Sequence, residues 1–167
     1  MPKVFNYKNE QMKYQNVELH EYNRLTSENL SKESNVNKFD CKIRILEKWN
    51  YSYPYHYHHN AEEVFVILEW AWELRTSEGI QDISKGDIIL FEIWKSGAHQ
   101  LFNNQIAPLI YVDIKTNHDL DVCEYPDTEK VILLPSKEIF YKGKKTNYFE
   151  GEINISRVWE DLRKKDI

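Results

Sequence analysis

Three histidines and a glutamate lie close together near the middle of the chain, at His56, His58, His59 and Glu63. In an extended strand, successive side chains alternate between the two faces, so His56 and His58 point the same way and His59 points the other way. Two imidazoles on one face can chelate a metal ion, and the carboxylate of Glu63 adds negative charge. These residues predict a divalent metal site that still lacks one ligand.

His99 is the candidate for the missing ligand. It follows a second strand-like run, which opens with the turn Lys85-Gly86-Asp87. If the two strands face each other, His99 meets the pair formed by His56 and His58. Imidazole and carboxylate groups bind several ions, so the residue types leave Zn, Fe, Mn and Ni open as the metal.

The spacing of these residues resembles a known pair of motifs. His56-x-His58-x4-Glu63, followed by Gly86-Asp87 and His99-x3-Asn103, is similar to the paired motifs of the cupin superfamily. The resemblance implies a small β-barrel with a metal ion at its centre. By matching positions, it also implies that the four protein ligands are His56, His58, Glu63 and His99.

A wider resemblance covers roughly residues 40–151. Residues 98–103, 108–111 and 121–127 are similar to a subgroup of bacterial single-domain cupins of the predicted-enzyme type. This subgroup brings no established reaction, so the resemblance implies a fold and a ligand set and leaves the substrate open.

Three positions depart from the cupin pattern. Asn50 and Trp70 stand where the family has glycine, and Glu92 stands where it has proline. Glycine and proline set the backbone geometry of turns, so these departures concern the shape of the barrel mouth. The ring of Trp70 could narrow the cavity, cover the metal as a lid, or lie on the exterior.

Other polar and aromatic residues are candidates for the surroundings of the metal. His59 is a second-shell or surface group because it lies on the opposite strand face, and Glu62 is the alternative to Glu63 as a ligand. Gln100 and Asn103 could orient a bound group, and aromatic residues could line a pocket or fill the core. The candidates for these outer positions are His59, Glu62, Trp70, Phe91, Gln100 and Asn103.

Short strands joined by tight turns dominate the hydrophobic pattern. Alternating or continuous apolar runs predict strands over residues 39–46, 64–68, 72–76, 80–83, 88–93 and 109–114. Short strands at regular intervals are typical of a double-sheet jelly-roll barrel. We therefore predict an all-β fold, a double-stranded β-helix, with the barrel over residues 39–151.

The two ends of the chain differ from the barrel. Residues 1–38 are polar and predict an N-terminal arm, with an exposed, mobile loop over residues 27–35. A second loop is expected over residues 137–145. Apolar residues at helical spacing predict an amphipathic helix over residues 156–165, packed on the barrel exterior within a C-terminal segment of residues 152–167.

Composition narrows the class of protein. A chain of 167 residues suffices for one domain, and its net charge of −5 argues against a nucleic-acid partner. No long apolar run predicts a membrane span, and the amino terminus lacks the apolar core of a secretory signal, so we expect a cytoplasmic protein. Cys41 and Cys123 are expected to be buried free thiols, and exposed barrel edges favour a homodimer.

Two functional hypotheses follow. In the first, the protein is a metal-dependent enzyme of the isomerase or dioxygenase type that acts on a small organic molecule at open coordination positions. In the second, the barrel binds or senses a small molecule without catalysis. Motifs for a catalytic serine or a phosphate-binding glycine loop are absent from the sequence, so covalent catalysis and nucleotide hydrolysis are not favoured.

Overall fold

The computed structural model describes residues 1–143 together with Tyr148, Glu150 and Arg157. Its strands are, in chain order, β1 (Lys13–Gln15), β2 (Arg24–Thr26), β3 (Phe39–Leu46), β4 (Tyr57–His58), β5 (Glu63–Glu69), β6 (Ala71–Thr76), β7 (Gly79–Ser84), β8 (Ile88–Phe91), β9 (Gln100–Phe102), β10 (Leu109–Thr116), β11 (Asp121–Tyr125), β12 (Lys130–Leu134) and β13 (Glu138–Tyr141). One short α-helix, α1 (Leu30–Glu33), and two single 3-10 turns, His20–Tyr22 and Lys95–Gly97, accompany them.

The strands form three antiparallel sheets that together enclose the barrel. The large sheet has the order β1-β2-β3-β10-β5-β8, and the two smaller sheets have the orders β13-β12-β11-β4 and β7-β6-β9. A bridge between His56 and His99 joins the segments that lead into β4 and β9. The two smaller sheets therefore form the wall opposite the large sheet, which is the double-stranded β-helix that the sequence predicts.

Strand alternation divides the large sheet into an inner and an outer face. Inner positions on β5 and β10 are buried, such as Phe65, Ile67, Leu109 and Tyr111, whereas their neighbours along the strands are half-buried. This pattern follows from the period of two in a strand that packs one face on the core. It also aligns Glu63 with the same inner face as Phe65.

One end of the barrel is filled by a continuous apolar core. Its members come from both walls of the barrel and are Leu46, Phe65, Ile67, Trp72, Leu74, Ile83, Phe91, Leu101, Leu109 and Tyr111. Burying each large side chain contributes about 1.5–3 kcal/mol to folding. This core holds the strands that carry the candidate ligands.

Most of the predicted strands are confirmed, with adjusted ends. The predicted strand over residues 39–46 coincides with β3, and those over 64–68 and 109–114 lie within β5 and β10. The strand predicted over 88–93 ends earlier, at Phe91, and Trp94 then adopts a positive φ of 71°. The predicted C-terminal helix lies outside the described residues.

Two predicted loops are wrong. Residues 27–35 contain α1, which begins after Asn29 caps it by accepting a hydrogen bond from the Ser31 amide, and Leu30 is buried. Residues 137–145 contain β13, which pairs with β12. In addition, β1 and β2 extend the large sheet through β3, so part of the expected N-terminal arm belongs to the barrel wall.

No helix in the described part of the chain is long and apolar enough to cross a membrane.

Candidate metal centre

Backbone pairing brings the three predicted histidine ligands together. His58 lies in β4, which pairs with β11, while His56 and His99 face each other in an isolated antiparallel bridge. The ring centroid of His56 lies 5.3 Å from that of His58 and 4.8 Å from that of His99. All three residues are buried, with His99 only 1% exposed.

Each of the three imidazoles is oriented by an acceptor at its Nδ1 atom. These acceptors are the Pro54 carbonyl for His56 (2.9 Å), the Asp121 carboxylate for His58 (2.5 Å) and the Gly97 carbonyl for His99 (2.9 Å). Because a carbonyl or a carboxylate only accepts, each Nδ1 carries the proton and donates it. In the neutral ring, each Nε2 atom then carries a lone pair.

Those three lone pairs converge on the carboxylate of Glu63. Glu63 Oε2 lies 4.0 Å from His56 Nε2, 3.7 Å from His58 Nε2 and 3.1 Å from His99 Nε2. Metal–ligand bonds of about 2.0–2.2 Å place neighbouring ligand atoms about 3–4 Å apart, so these separations fit a common ion. His56, Glu63 and His99 form a group whose ligand atoms all lie within 4.8 Å of one another.

The contact between Glu63 and His99 is compatible with a bound cation. Within the described part of the chain, neither Glu63 Oε2 nor His99 Nε2 makes a hydrogen bond, although both atoms are buried. With the His99 proton on Nδ1, two acceptors face each other across 3.1 Å. Buried polar atoms without a partner are costly, and a bound metal ion would satisfy both.

The electrostatics of His56 and Asp121 suit a metal centre. Burial, together with the neighbouring His99, lowers the pKa of His56 from 6.5 to about 3, so its imidazole is neutral at physiological pH. Burial alone would raise the pKa of Asp121, but its hydrogen bonds with His58 and the Asn60 amide lower it to about 2. Asp121 therefore stays ionised and fixes the tautomer of His58.

Aromatic rings hold the imidazoles in place. The ring of Phe91 stacks on that of His99, with centroids 3.7 Å apart, and Phe65 approaches the same imidazole edge-on at 5.3 Å. The ring of Tyr125 stacks on that of His56 at 5.9 Å. Phe91, a candidate from the sequence, thus lies directly against a predicted ligand.

The other outer candidates lie elsewhere. His59 points away from the centre and its Nε2 atom contacts Glu124 at 2.8 Å, while Glu62 is exposed. Trp70 is 59% exposed, which places its ring on the exterior and rules out a lid over the metal. Strand alternation explains the first two positions, because His58 and Glu63 already occupy the inner face.

The two amide candidates bind the protein's own backbone. Gln100 donates to the Tyr53 carbonyl at 2.7 Å. The Asn103 amide donates to the carbonyls of Leu46 and Ala107 and accepts from the Trp72 indole N–H. These contacts give Asn103 a role in tying loops to the core, and the expectation that it orients a bound group has no contact in its support.

Two residues at the centre escape the sequence reasoning. Asp121 contacts His58, and the Cys123 Sγ atom lies within 4.8 Å of ligand atoms of His56 and His58. Both side chains lie on one face of β11, at alternate positions with Tyr125. The alternation in Asp121-x-Cys123-x-Tyr125 was the available signal, but only the pairing of β11 with β4 shows what it faces.

The two glycine departures have local explanations. Asn50 lacks the positive φ expected of the missing glycine, and the neighbouring Trp49 has it instead, at 65°. Trp70, at the second glycine position, has a φ of 71° and keeps the backbone shape despite its Cβ. Gly97 is tightly constrained, because a Cβ there would lie 1.8 Å from the carbonyl oxygen of Glu92.

A cavity of about 360 Å³ opens beside the predicted ligands. Next to His56 and His58, its walls carry the cations Lys42, Arg44, Lys115 and Lys137 and the carboxylates Asp40, Glu63 and Asp113. Arg44 donates to Asp113 at 3.0 Å in a buried ion pair. A second, larger cavity of about 590 Å³ adjoins the opposite face of β4 and is lined by none of the four predicted ligands.

Comparisons with known proteins support the fold. No family model matches the chain, and no curated protein matches it. Solved structures do match it. One is a sugar phosphate isomerase from a cupin superfamily, from Silicibacter pomeroyi. It is 21% identical to this chain, with a TM-score of 0.74, and the match covers 88% of this chain and 98% of that one.

Two further structures extend the comparison. A candidate sugar phosphate isomerase from Acidithiobacillus ferrooxidans has 20% identity and a TM-score of 0.72, covering 82% of this chain and 89% of that one. A predicted oxalate decarboxylase from Thermotoga maritima has 15% identity and a TM-score of 0.58, covering 70% and 100%. The chain therefore has the cupin fold, in agreement with the resemblance carried by its histidine motifs.

Proposed function

We propose that this protein is a metal-dependent enzyme that isomerises a small anionic, sugar-like molecule. The observation that carries the proposal is the convergence of three oriented Nε2 lone pairs on the carboxylate of Glu63. Three imidazoles and one carboxylate suit a divalent ion such as Zn, Fe, Mn or Ni and leave coordination positions open. The ion would supply Lewis acidity to an oxygen of the substrate.

The cavity wall supports an anionic substrate. Lys42, Lys115 and Lys137 line the cavity together with the candidate ligands. Ammonium groups bind phosphate and carboxylate groups as point charges, so these side chains could hold the charged end of a substrate. Two of the structures with the same fold are named for sugar phosphate isomerisation, which agrees with a phosphorylated sugar as the substrate class.

Isomerisation by proton transfer also needs a group that moves the proton between neighbouring carbons. Asp113 lies on the cavity wall, and its burial raises its pKa although the neighbouring Arg44 opposes the shift. A carboxylate with a raised pKa is better matched to proton transfer near neutral pH. Asp113 is therefore our candidate for the general base, and Arg44 fixes its orientation.

The experiment compares ligand variants with neighbours that face away. We expect His58→Ala to lose the metal and to lose conversion of aldose and ketose phosphates, as followed by NMR, with the fold retained. His59→Ala, one residue along the chain, should keep both properties. The same contrast is expected between Glu63→Gln and Glu62→Gln.

Two results would count against this function. Purified protein that takes up no divalent ion on titration would remove the metal centre. Metal-loaded protein that binds aldose and ketose phosphates but converts none of them would instead favour a non-catalytic binding cupin.

We also infer a homodimer. Among the described strands, β8 lies at an edge of the large sheet, and its outward side chains Ile88 and Leu90 are 64% and 75% exposed. A free strand edge with apolar side chains is a surface that proteins usually cover. Light scattering should give twice the chain mass, and Leu90→Lys should shift it towards the monomer. A monomeric wild type would contradict this inference.

A further inference from the structure

Cys123 lies where a metal ligand would lie. It is paired directly with His58 between β11 and β4, and it is 3% exposed. Its Sγ atom and the ligand atoms of His56 and His58 all lie within 4.8 Å of one another. These two histidines belong to the candidate centre as well, so the thiol adjoins the point on which their lone pairs converge.

The thiol lies beside the polar side chains of the candidate centre. Cys123 lines the same cavity as His56, His58, Glu63 and Asp113, together with the apolar Ile132 and Leu134. A buried structural cysteine usually packs as a small apolar residue among other apolar side chains. Here the sulfur lies near the imidazoles of His56 and His58.

A second observation points independently to a bound cation. Glu63 Oε2 and His99 Nε2 are buried and lack a hydrogen-bond partner within the described residues. His56 belongs to both groups, because a ligand atom of His56 also lies within 4.8 Å of those of Glu63 and His99. A cation bound at His56 would therefore have the Glu63 and His99 atoms on one side and the thiol on the other.

We propose that Cys123 Sγ is a further ligand of the metal ion, beside His56 and His58. The proposal rests on the proposed metal centre. On binding, the S–H bond breaks, a sulfur–metal bond forms, and the proton leaves to solvent. A thiolate favours borderline and soft ions such as Zn, Co, Ni or Fe over hard ions such as Mg or Mn, so Cys123 narrows the choice of metal.

Cobalt gives a direct test. Co²⁺ bound to a thiolate shows an intense sulfur-to-cobalt charge-transfer band in the near ultraviolet, whereas imidazole and carboxylate ligands alone give only weak visible bands. We expect the charge-transfer band in the Co²⁺-loaded wild type and its complete loss in Cys123→Ser, with the visible bands retained. Circular dichroism of the metal-free variant checks that it folds.

The second cysteine supplies a matched control. Cys41 lies in β3, is partly buried, and is flanked by Lys42 on the opposite strand face, so Cys41→Ser should keep the band unchanged. X-ray absorption of the zinc form provides a second readout, with a Zn–S distance of about 2.3 Å expected in wild type and in Cys41→Ser.

The outcomes separate this proposal from the proposed function. Visible cobalt bands without a charge-transfer band in wild type would overturn the sulfur ligand and leave the histidine centre intact. A charge-transfer band that survives in Cys123→Ser would also overturn it. Failure of wild type to bind cobalt or zinc at all would overturn the metal centre itself.

Discussion

The two ends of the barrel interior are built from the same strands and have opposite character. On β5 the inward residues run from Glu63 through Phe65 to Ile67, and on β10 they run from Leu109 through Tyr111 to Asp113. Because β5 and β10 are antiparallel, their apolar positions meet at one end and their polar positions at the other. A single strand therefore contributes to both the packed core and the candidate site.

The packed end stabilises the fold, and the polar end carries the candidate metal site. The packed end buries large side chains that make their full contribution to folding, whereas the polar end buries Glu63 and three imidazoles at a cost in desolvation. Phe65 and Phe91 lie at the boundary and touch His99 directly. We conclude that the core stabilises the fold and also orients one of the predicted ligands.

The largest expected effect is at the packed end. Leu101 is fully buried within the apolar core, so Leu101→Ala should lower the free energy of unfolding by about 2–5 kcal/mol through lost burial and a cavity. Chemical denaturation measures this change. Metal stoichiometry of the folded variant should match wild type, and a loss of metal would contradict the separation of the two ends.

At the polar end, the sharpest test is the group that orients His58. Asp121→Asn keeps the size of the side chain but removes the charge that holds the proton on His58 Nδ1. Loss of such a partner weakens metal binding by about 10–100-fold. Competition with a chelator measures the affinity. Unchanged affinity would mean that Asp121 does not set the tautomer.

The pH dependence should distinguish the two ends in the metal-free protein. The pKa of His56 falls from 6.5 to about 3 on folding, so between these values the unfolded chain binds one more proton than the folded chain. Stability should therefore decrease as the pH falls below about 6.5, by up to about 1.4 kcal/mol per pH unit. The depressed pKa of Asp121 adds a further loss at lower pH, towards 2.

Denaturation of chelator-treated protein between pH 7.5 and 4.5 measures this slope. His56→Gln lacks the titrating imidazole, so its slope should be smaller than that of wild type. Leu101→Ala should keep the wild-type slope at lower stability. Equal slopes in wild type and His56→Gln would show that His56 is not held neutral by burial.

Local pattern was sufficient to place His56 and His58 together, whereas the addition of His99 came from the resemblance to the cupin motifs. The period of two in a strand places His56 and His58 on one face and excludes His59, and this needs no knowledge of the strand order. The helix α1 and the strand β13 lie where loops were predicted, and they were missed for different reasons. α1 buries Leu30 but carries little apolar periodicity, and the apolar residues of β13 remain exposed.

Asp121 and Cys123 could not be assigned from local pattern. Their roles depend on β11 pairing with β4, a contact between segments that are distant in sequence. The short spacing between a ligand and its neighbours is visible in a sequence, whereas the strand that supplies an orienting carboxylate depends on the topology of the whole barrel. The placement of Lys42, Lys115 and Lys137 on the cavity wall depends on the same long-range arrangement.

The smallest expected effect concerns Trp70, at the turn where the packed end of β5 meets β6. Its φ of 71° costs about 1–2 kcal/mol for a residue with a Cβ, whereas glycine adopts this conformation readily. The ring is 59% exposed, so Trp70→Gly loses little packing. The greater freedom of glycine in the unfolded chain offsets most of the relieved strain, so the free energy of unfolding should rise by less than about 1 kcal/mol. Metal affinity should not change.

Trp72→Gly is the matched control. Because Trp72 is buried in the core, this substitution should lower the free energy of unfolding by about 3–5 kcal/mol. Weaker metal binding in Trp70→Gly would show that this turn is coupled to the polar end and would break the separation between the two halves of the barrel.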